Sequence, residues 1–192
     1  MSRSCFPFLV ALALLLGLAG CASLEPMSPG AVAQRGEAGI FRIEGRFSLR
    51  HEQNSYSGRL AWEHSPLLDQ IFLMNPFGQG VAEITRDSAG ARLVTADRVV
   101  REAADPEALV HEVLGYPLPL AGLAEWLQAR APAGAVVQRD EQGRLASFTH
   151  AGWEIDYDYP EASSADTLPW RLHARHGDLL DLKLRIDDWK SE

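Results

Sequence analysis

The sequence predicts a mainly β domain of α+β type, a half-open antiparallel β-barrel of about eleven strands with two to three helices packed over its opening. Three observations predict it. Apolar and polar residues alternate with a period of two through most of the chain from Ile40 onward. That alternation is interrupted once, between Asp105 and Ala129, by apolar spacing of helical period. Both cysteines, Cys5 and Cys21, precede the patterned region, so its stability must come from a core. Strands that each carry one apolar face must curl around a shared interior, and an inserted helix pair has its own apolar stripe to bury there. Two stacked sheets are the alternative, which would be expected to lack a mid-chain helical pair.

At the N-terminus Arg3 opens a short basic region, and Phe6 to Leu18 is almost wholly apolar. This run is shorter than the ~20 residues of a spanning helix and reads as a secretory signal over residues 1–20. It ends in Leu18-Ala19-Gly20-Cys21, which resembles a bacterial lipobox, in which the cysteine is acylated after cleavage. Cys21 is therefore the lipidation site, and Cys5 leaves with the signal. Residues 21–39 are rich in Ala, Gly, Pro and Ser and form a flexible tether to a domain over 40–192. Ala22, not Asp, follows the lipidated cysteine, so the acidic inner-membrane retention signal is absent and the bias is toward the outer membrane. The formal net charge is −8, one unit more negative once Arg3 is removed. That balance argues against nucleic acid and against electrostatic attraction to anionic lipid.

The first strand is Ile40–Arg50, with Phe41, Ile43, Gly45, Phe47 and Leu49 on one face. A polar link, His51 to Ser55, joins it to a second, where Tyr56, Gly58, Leu60 and Trp62 share a face. Asp69–Met74 and Gly80–Arg86 form the next hairpin around Asn75-Pro76-Phe77-Gly78. Pro fixes φ in this turn and Gly closes it, so Phe77 belongs at a solvent-facing tip. Ala91–Ala96 and the short Val99-Val100 run continue the meander. Asp105-Pro106-Glu107 supplies an N-cap, a first-turn proline and an acid suited to the helix dipole, and Gly115 ends that helix. A second helix runs from Leu120 to Ala129 between Pro119 and Pro132. Alternation resumes at Ala135–Arg139, Arg144–Thr149, Gly152–Tyr159, Pro169–His176 and Leu179–Asp187.

No catalytic constellation emerges. There is no Gly-x-Ser-x-Gly elbow, and Gly78 and Gly80 are followed by Glu83 where a dinucleotide fingerprint needs a third glycine. His173 and His176 are three apart on one strand and point to opposite faces, so no metal site is expected. Asp156 and Asp158 share the polar face opposite Trp153, Ile155 and Tyr157, where two solvated carboxylates are expected. Inward apolar faces are otherwise consistent with either a filled core or a lined cavity.

Several segments together resemble one family: GRF at Gly45–Phe47, SGRLAW at Ser57–Trp62, NPFGQ at Asn75–Gln79, LGYPLPLAGLAEWL at Leu114–Leu127, GWEIDY at Gly152–Tyr157 and KLRIDDW at Lys183–Trp189, behind a lipobox. The order and combination are similar to the LolB family of outer-membrane lipoprotein receptors. The segment before Ile40 departs, being shorter and less helical than is usual there. The resemblance implies a helical lid over an apolar cavity lined by Phe47, Leu49, Leu60, Trp62, Ile71, Leu73, Ile84, Trp153, Ile155, Leu172, Leu182 and Leu184. It implies a membrane-insertion loop of Pro76, Phe77 and Gly78, and a monomer that takes acylated lipoproteins from the periplasmic carrier LolA into outer-membrane lipid. No enzymatic step and no cofactor are implied. A lipid-modifying enzyme would need clustered carboxylates or histidines in a cleft. An anchored β-scaffold without an acyl-binding cavity would need a packed interior.

Overall fold

The computed structural model describes residues 39–116, 118–161 and 163–191. The signal, Cys21 and the tether up to residue 38 lie outside the described residues. The strands are β1 (Phe41–His51), β2 (Asn54–His64), β3 (Asp69–Met74), β4 (Gly80–Asp87), β5 (Gly90–Thr95) and β6 (Val100–Ala103), followed by helices α1 (Pro106–Leu114) and α2 (Leu120–Leu127). Then come β7 (Val136–Arg139), β8 (Leu145–His150), β9 (Trp153–Asp158), β10 (Arg171–His176) and β11 (Leu180–Ser191). All eleven strands form one antiparallel sheet in the order β6-β5-β4-β3-β2-β1-β11-β10-β9-β8-β7. Two meanders are thus joined at the middle, where β1 pairs with β11 along its whole length. The sheet is open, with β6 and β7 as its edges, and the chain passes from one edge to the other only through the helices.

Inward side chains are buried on every strand except those two edges. A flat sheet of eleven strands would be about 50 Å wide, whereas helices of nine and eight residues are about 12–14 Å long. The helices cannot shield a flat surface of that width, so the sheet curls around its own apolar face. Gly45 and Gly58 mark the tightest approach: a Cβ at Gly45 would lie 2.2 Å from the Arg185 carbonyl oxygen, and one at Gly58 2.1 Å from that of Met74. α1 is capped as its sequence requires, by the Asp105 carboxylate accepting from Glu107 N and by Gly115 in the left-handed region (φ 74°). α1 packs on β5 and β6. α2 buries Leu123, Trp126 and Leu127, with the Trp126 ring against Phe148 and Trp153.

Four expectations need correction. The β1–β2 link is a two-residue turn, Glu52-Gln53, made possible by Glu52 at φ 52°, and His51 is a buried strand residue. The last strand does not stop at Asp187. A register shift there pairs Glu44 with Asp188 but Gly45 with Ile186, so Ile186 and Trp189, three apart, both turn inward while the backbone ladder runs on. A second shift between Gln138 and Arg139 re-phases β8, burying both Leu145 and Phe148. Tyr56 has the expected register, opposite Leu49, but is 43% exposed because β2 there runs past the end of β3.

Gly58→Ala places a methyl group against a carbonyl that two paired strands hold in place. Urea denaturation is expected to show a loss of about 1–3 kcal/mol, with the slope of the transition unchanged.

Candidate functional site

The twelve side chains expected to line an interior converge on one apolar face. Leu49, Leu60, Trp62, Ile71, Ile84, Trp153, Ile155, Leu172, Leu182 and Leu184 are buried, and Phe47 and Leu73 are half-buried against them. Leu109, Val110, Leu118, Leu120, Leu123, Trp126 and Leu127, from the helices and the link between them, belong to the same core. The helical hairpin runs the length of this face, because β6 ends beside the start of α1 and Tyr116, just beyond it, meets the opposite end. There the Tyr116 hydroxyl bonds His176 Nδ1, and its ring lies 5.2 Å from His51 and 6.4 Å from Trp153. Burial raises the Tyr116 pKa above its ordinary value. At the other end of α2 the Gln128 amide brackets the backbone of Gly39, accepting from its N–H at 3.2 Å and donating to its carbonyl at 3.1 Å. Tyr157 donates to the Trp126 carbonyl at 2.8 Å, a third tie between sheet and helices.

The Phe77 turn is rigid although its tip is exposed. Asn75 Oδ1 accepts from the N–H groups of Phe77 and Gln79, both at 3.0 Å, and the Asn75 carboxamide nitrogen donates to Gln79 Oε1 at 2.8 Å. Gly78 occupies φ 85°, and its N–H closes the turn on the Asn75 carbonyl. Phe77 is 91% exposed, so the turn holds an unpartnered phenylalanine outward.

A buried polar cluster went unread in the sequence. Asp69, 2% exposed, accepts from Trp62 Nε1 at 2.9 Å, from His64 Nδ1 at 2.6 Å and from Arg86 Nε. Phe41 stacks on His64 and meets Trp62 and Trp189 edge-on. Burial works to raise the Asp69 pKa, but the bonds from His64, Trp62 and Arg86 outweigh it and hold the carboxyl below the usual aspartate value. One signal was available: His64, Asp69 and Arg86 pair in register at the ends of consecutive strands. Asp69 and His64 also continue the inward alternation of their strands, with Ile71 and Leu73 and with Trp62 and Leu60.

The remaining candidates resolve into surface chemistry. His173 faces Asp181, while His176 turns inward to Tyr116. Asp156 is paired with Arg175 and Asp158 with Arg171. Among the described residues no group of three or more His, Cys, Asp or Glu could hold a metal ion, and no helix is long and apolar enough to cross a membrane. A cleft of about 630 Å³ opens at the β7–β8 turn beside Asp140, Arg144, Tyr159 and Trp170. It lies outside the predicted lining.

The family described as "Outer membrane lipoprotein LolB" matches residues 40–189, the extent of this sheet and its helices. The chain belongs to the LolB family. It is 37% identical to the outer-membrane lipoprotein LolB of Dechloromonas aromatica over 90% of this chain and 92% of that one. It is 38% identical to that of Thiobacillus denitrificans over 91% and 92%. Among solved structures, a LolA superfamily protein from Nitrosomonas europaea overlaps 83% of this chain and 89% of its own with a TM-score of 0.47 at 9% identity. The segments that resemble LolB have structural work in this chain. Gly45 and Gly58 allow the close strand approach, Asn75 and Gly78 set the turn, and Tyr116 joins the helix link to the sheet. Ile186 and Trp189 flank the register shift, and the Trp189 indole donates to the Pro169 carbonyl at 3.0 Å.

Asp69→Asn removes the charge facing His64 and Arg86 and is expected to cost about 3–5 kcal/mol in chemical denaturation. Because the folded-state pKa is depressed, the stabilisation by Asp69 is present above the unfolded value of about 3.9 and is lost as pH falls through the folded value. The wild-type chain should therefore lose stability on acidification below about pH 4, with a shallower slope in the Asn variant.

Proposed function

We propose that this outer-membrane lipoprotein is a receptor that accepts acylated lipoproteins from the periplasmic carrier LolA and inserts them into the outer membrane. The half-open barrel is its acyl-binding interior, the α1–α2 pair is its lid, and it works as a monomer anchored through a lipidated Cys21. The observation that carries this reading is the single apolar face of an open sheet whose two edges are connected only by a helical hairpin. Moving the hairpin away would uncover apolar side chains without breaking a strand pair. Acyl chains then replace helix side chains such as Leu123 and Trp126 against Leu60, Trp62, Ile155 and Leu184.

The energetics require a cover of this kind. Each exposed methylene of an acyl chain costs on the order of 0.8 kcal/mol, so a lipidated protein crosses water only while its chains are shielded. Transfer from a carrier to this interior and then to the bilayer needs only successively tighter binding and no bond cleavage. Membership in the LolB family and the exposed Phe77 both support the final step. Pro76 and Gly78 present Phe77 where it can enter the acyl boundary, and burying such a side chain is worth about 1.5–3 kcal/mol. That is too little to hold a protein on a membrane but enough to bias a tethered domain toward it.

Reconstitution with LolA–lipoprotein complexes and liposomes tests the reading in two steps, cargo bound and cargo delivered. Phe77→Glu should leave folding and uptake near wild type and lower delivery roughly tenfold or more. Delivery at the wild-type rate by this variant would remove the insertion role. Failure of the wild-type chain to take lipoprotein from the carrier would remove the receptor reading itself.

A further inference from the structure

The outer surface of the sheet is laced with compensated charge. Arg46 stands against Asp187, Arg50 against Asp181, Arg92 against Glu102 and Arg175 against Glu154 and Asp156. Among the described residues, Arg59, Arg98 and Arg139 are the arginines without a carboxylate partner. Arg139 is turned back onto the Gly143 carbonyl at 2.8 Å. The other two flank the Phe77 turn: Arg59 is registered opposite Met74, at the start of the turn, and Arg98 lies in the neighbouring β5–β6 loop. That loop is fixed against the Phe77 hairpin, since Ala96 N donates to the Val81 carbonyl at 2.9 Å. Within it, Val99 N donates to Thr95 Oγ1 and Arg98 N to the Thr95 carbonyl, which sets Arg98 at φ 64°.

Between these guanidiniums the surface is apolar apart from Glu83. Phe72, Val81, Val99 and Val100 are exposed alongside Phe77. Val81 is the extra residue of a register shift in β4, since Leu73 pairs with Ala82 but Met74 with Gly80. The carboxylates around this patch are already engaged or set into it: Asp97 is bonded to Thr95 Oγ1, Glu102 is paired with Arg92, Asp187 is paired with the Arg46 that stands in register with Arg59, and Glu83 is half-buried in the row between Phe72 and Val94. In a chain of net charge −8, two uncompensated guanidiniums placed on either side of an exposed phenylalanine fit a layer of phosphate above an apolar phase.

We propose that the outer face of β2–β6 at the Phe77 end is a phospholipid-docking surface, with Arg59 and Arg98 holding headgroup phosphates while Phe77 and the adjacent valines enter the acyl boundary. The proposal deepens the receptor reading, on which it rests for the membrane as partner. Gly39 lies at the opposite end of β1, an eleven-residue strand of about 35 Å. The chain from Cys21 to Gly39 can extend about 60 Å, so an anchor at Cys21 lets this end reach the bilayer.

The test is flotation of the Cys21→Ala chain, exported with its signal removed, on phosphatidylcholine vesicles containing about one-fifth phosphatidylglycerol. Arg59→Gln and Arg98→Gln should each weaken partitioning about fivefold, the equivalent of about 1 kcal/mol per arginine at an anionic surface. The effect should shrink with added salt and vanish on digalactosyldiacylglycerol vesicles, which carry no phosphate. Arg139→Gln, remote from the turn, should partition as wild type. Equal partitioning of the double variant and wild type on phosphate-bearing vesicles, or an equal loss with Arg139→Gln, overturns the proposal. So does a double variant that binds vesicles normally but takes less lipoprotein from the carrier, since the arginines would then dock a protein. Uptake measured on the same samples separates the two readings: a wild-type chain that fails to take up lipoprotein but binds vesicles through its arginines loses the receptor reading and keeps this surface.

Discussion

The pairing of β1 with β11 is the constraint on which the rest of the structure depends. Each strand is long, and every residue of β1 from Phe41 to His51 has a partner on β11. Because the two strands come from opposite ends of the domain, their ladder fuses two meanders into one sheet and forces its free edges to be β6 and β7, far apart in strand order. The connection between those edges has to cross the open side. A helical hairpin with apolar stripes serves both needs, covering the inward face and spanning the gap.

Different chemistry secures the two ends of the interior. At the Gly39 end, Asp69, His64, Arg86 and Trp62 form a buried ionic cluster beneath Phe41 and Trp189. Removing one partner from such a cluster leaves an uncompensated buried charge, which makes any rearrangement that separates the partners costly. At the opposite end, the contact with the helix link is made by aromatic rings and one hydroxyl–imidazole bond from Tyr116 to His176. Among the described residues no buried ion pair joins the helix link to the sheet at that end. The exposed turn carrying Phe77 and the loop carrying Arg98 lie at this same end of their strands.

Much of the fold was legible because it rests on local rules. Alternation identified the apolar face of most strands, and Asp105, Pro106 and Gly115 bounded α1 where the backbone places it. The exposure of Phe77 followed from Asn75, Pro76 and Gly78 alone. Legibility failed where the ladder departs from a period of two. The register shift at Asp187 ended the visible pattern of β11 four residues early, and the shift opposite β8 put Leu145 and Phe148 on one face despite their spacing. The Asp69 cluster was missed for another reason. A charged residue at an inward position reads as the solvated end of a strand unless its partners on the neighbouring strands are known.

The sequence by itself determined the faces of most strands, the limits of α1, the chemistry of the Phe77 turn and, through the combination of its motifs, the family. These depend on residues within a few positions of one another, where steric and hydrogen-bonding preferences act directly on the backbone. Only the tertiary structure decided which edges stay unpaired, that Gln128 would bracket Gly39, and that Asp69 would be enclosed by three donors. It also decided that Arg59 and Arg98 would be left without carboxylates on either side of Phe77. Such outcomes depend on long-range register and on which charges meet across strands, and a linear pattern does not encode a distance between residues it separates.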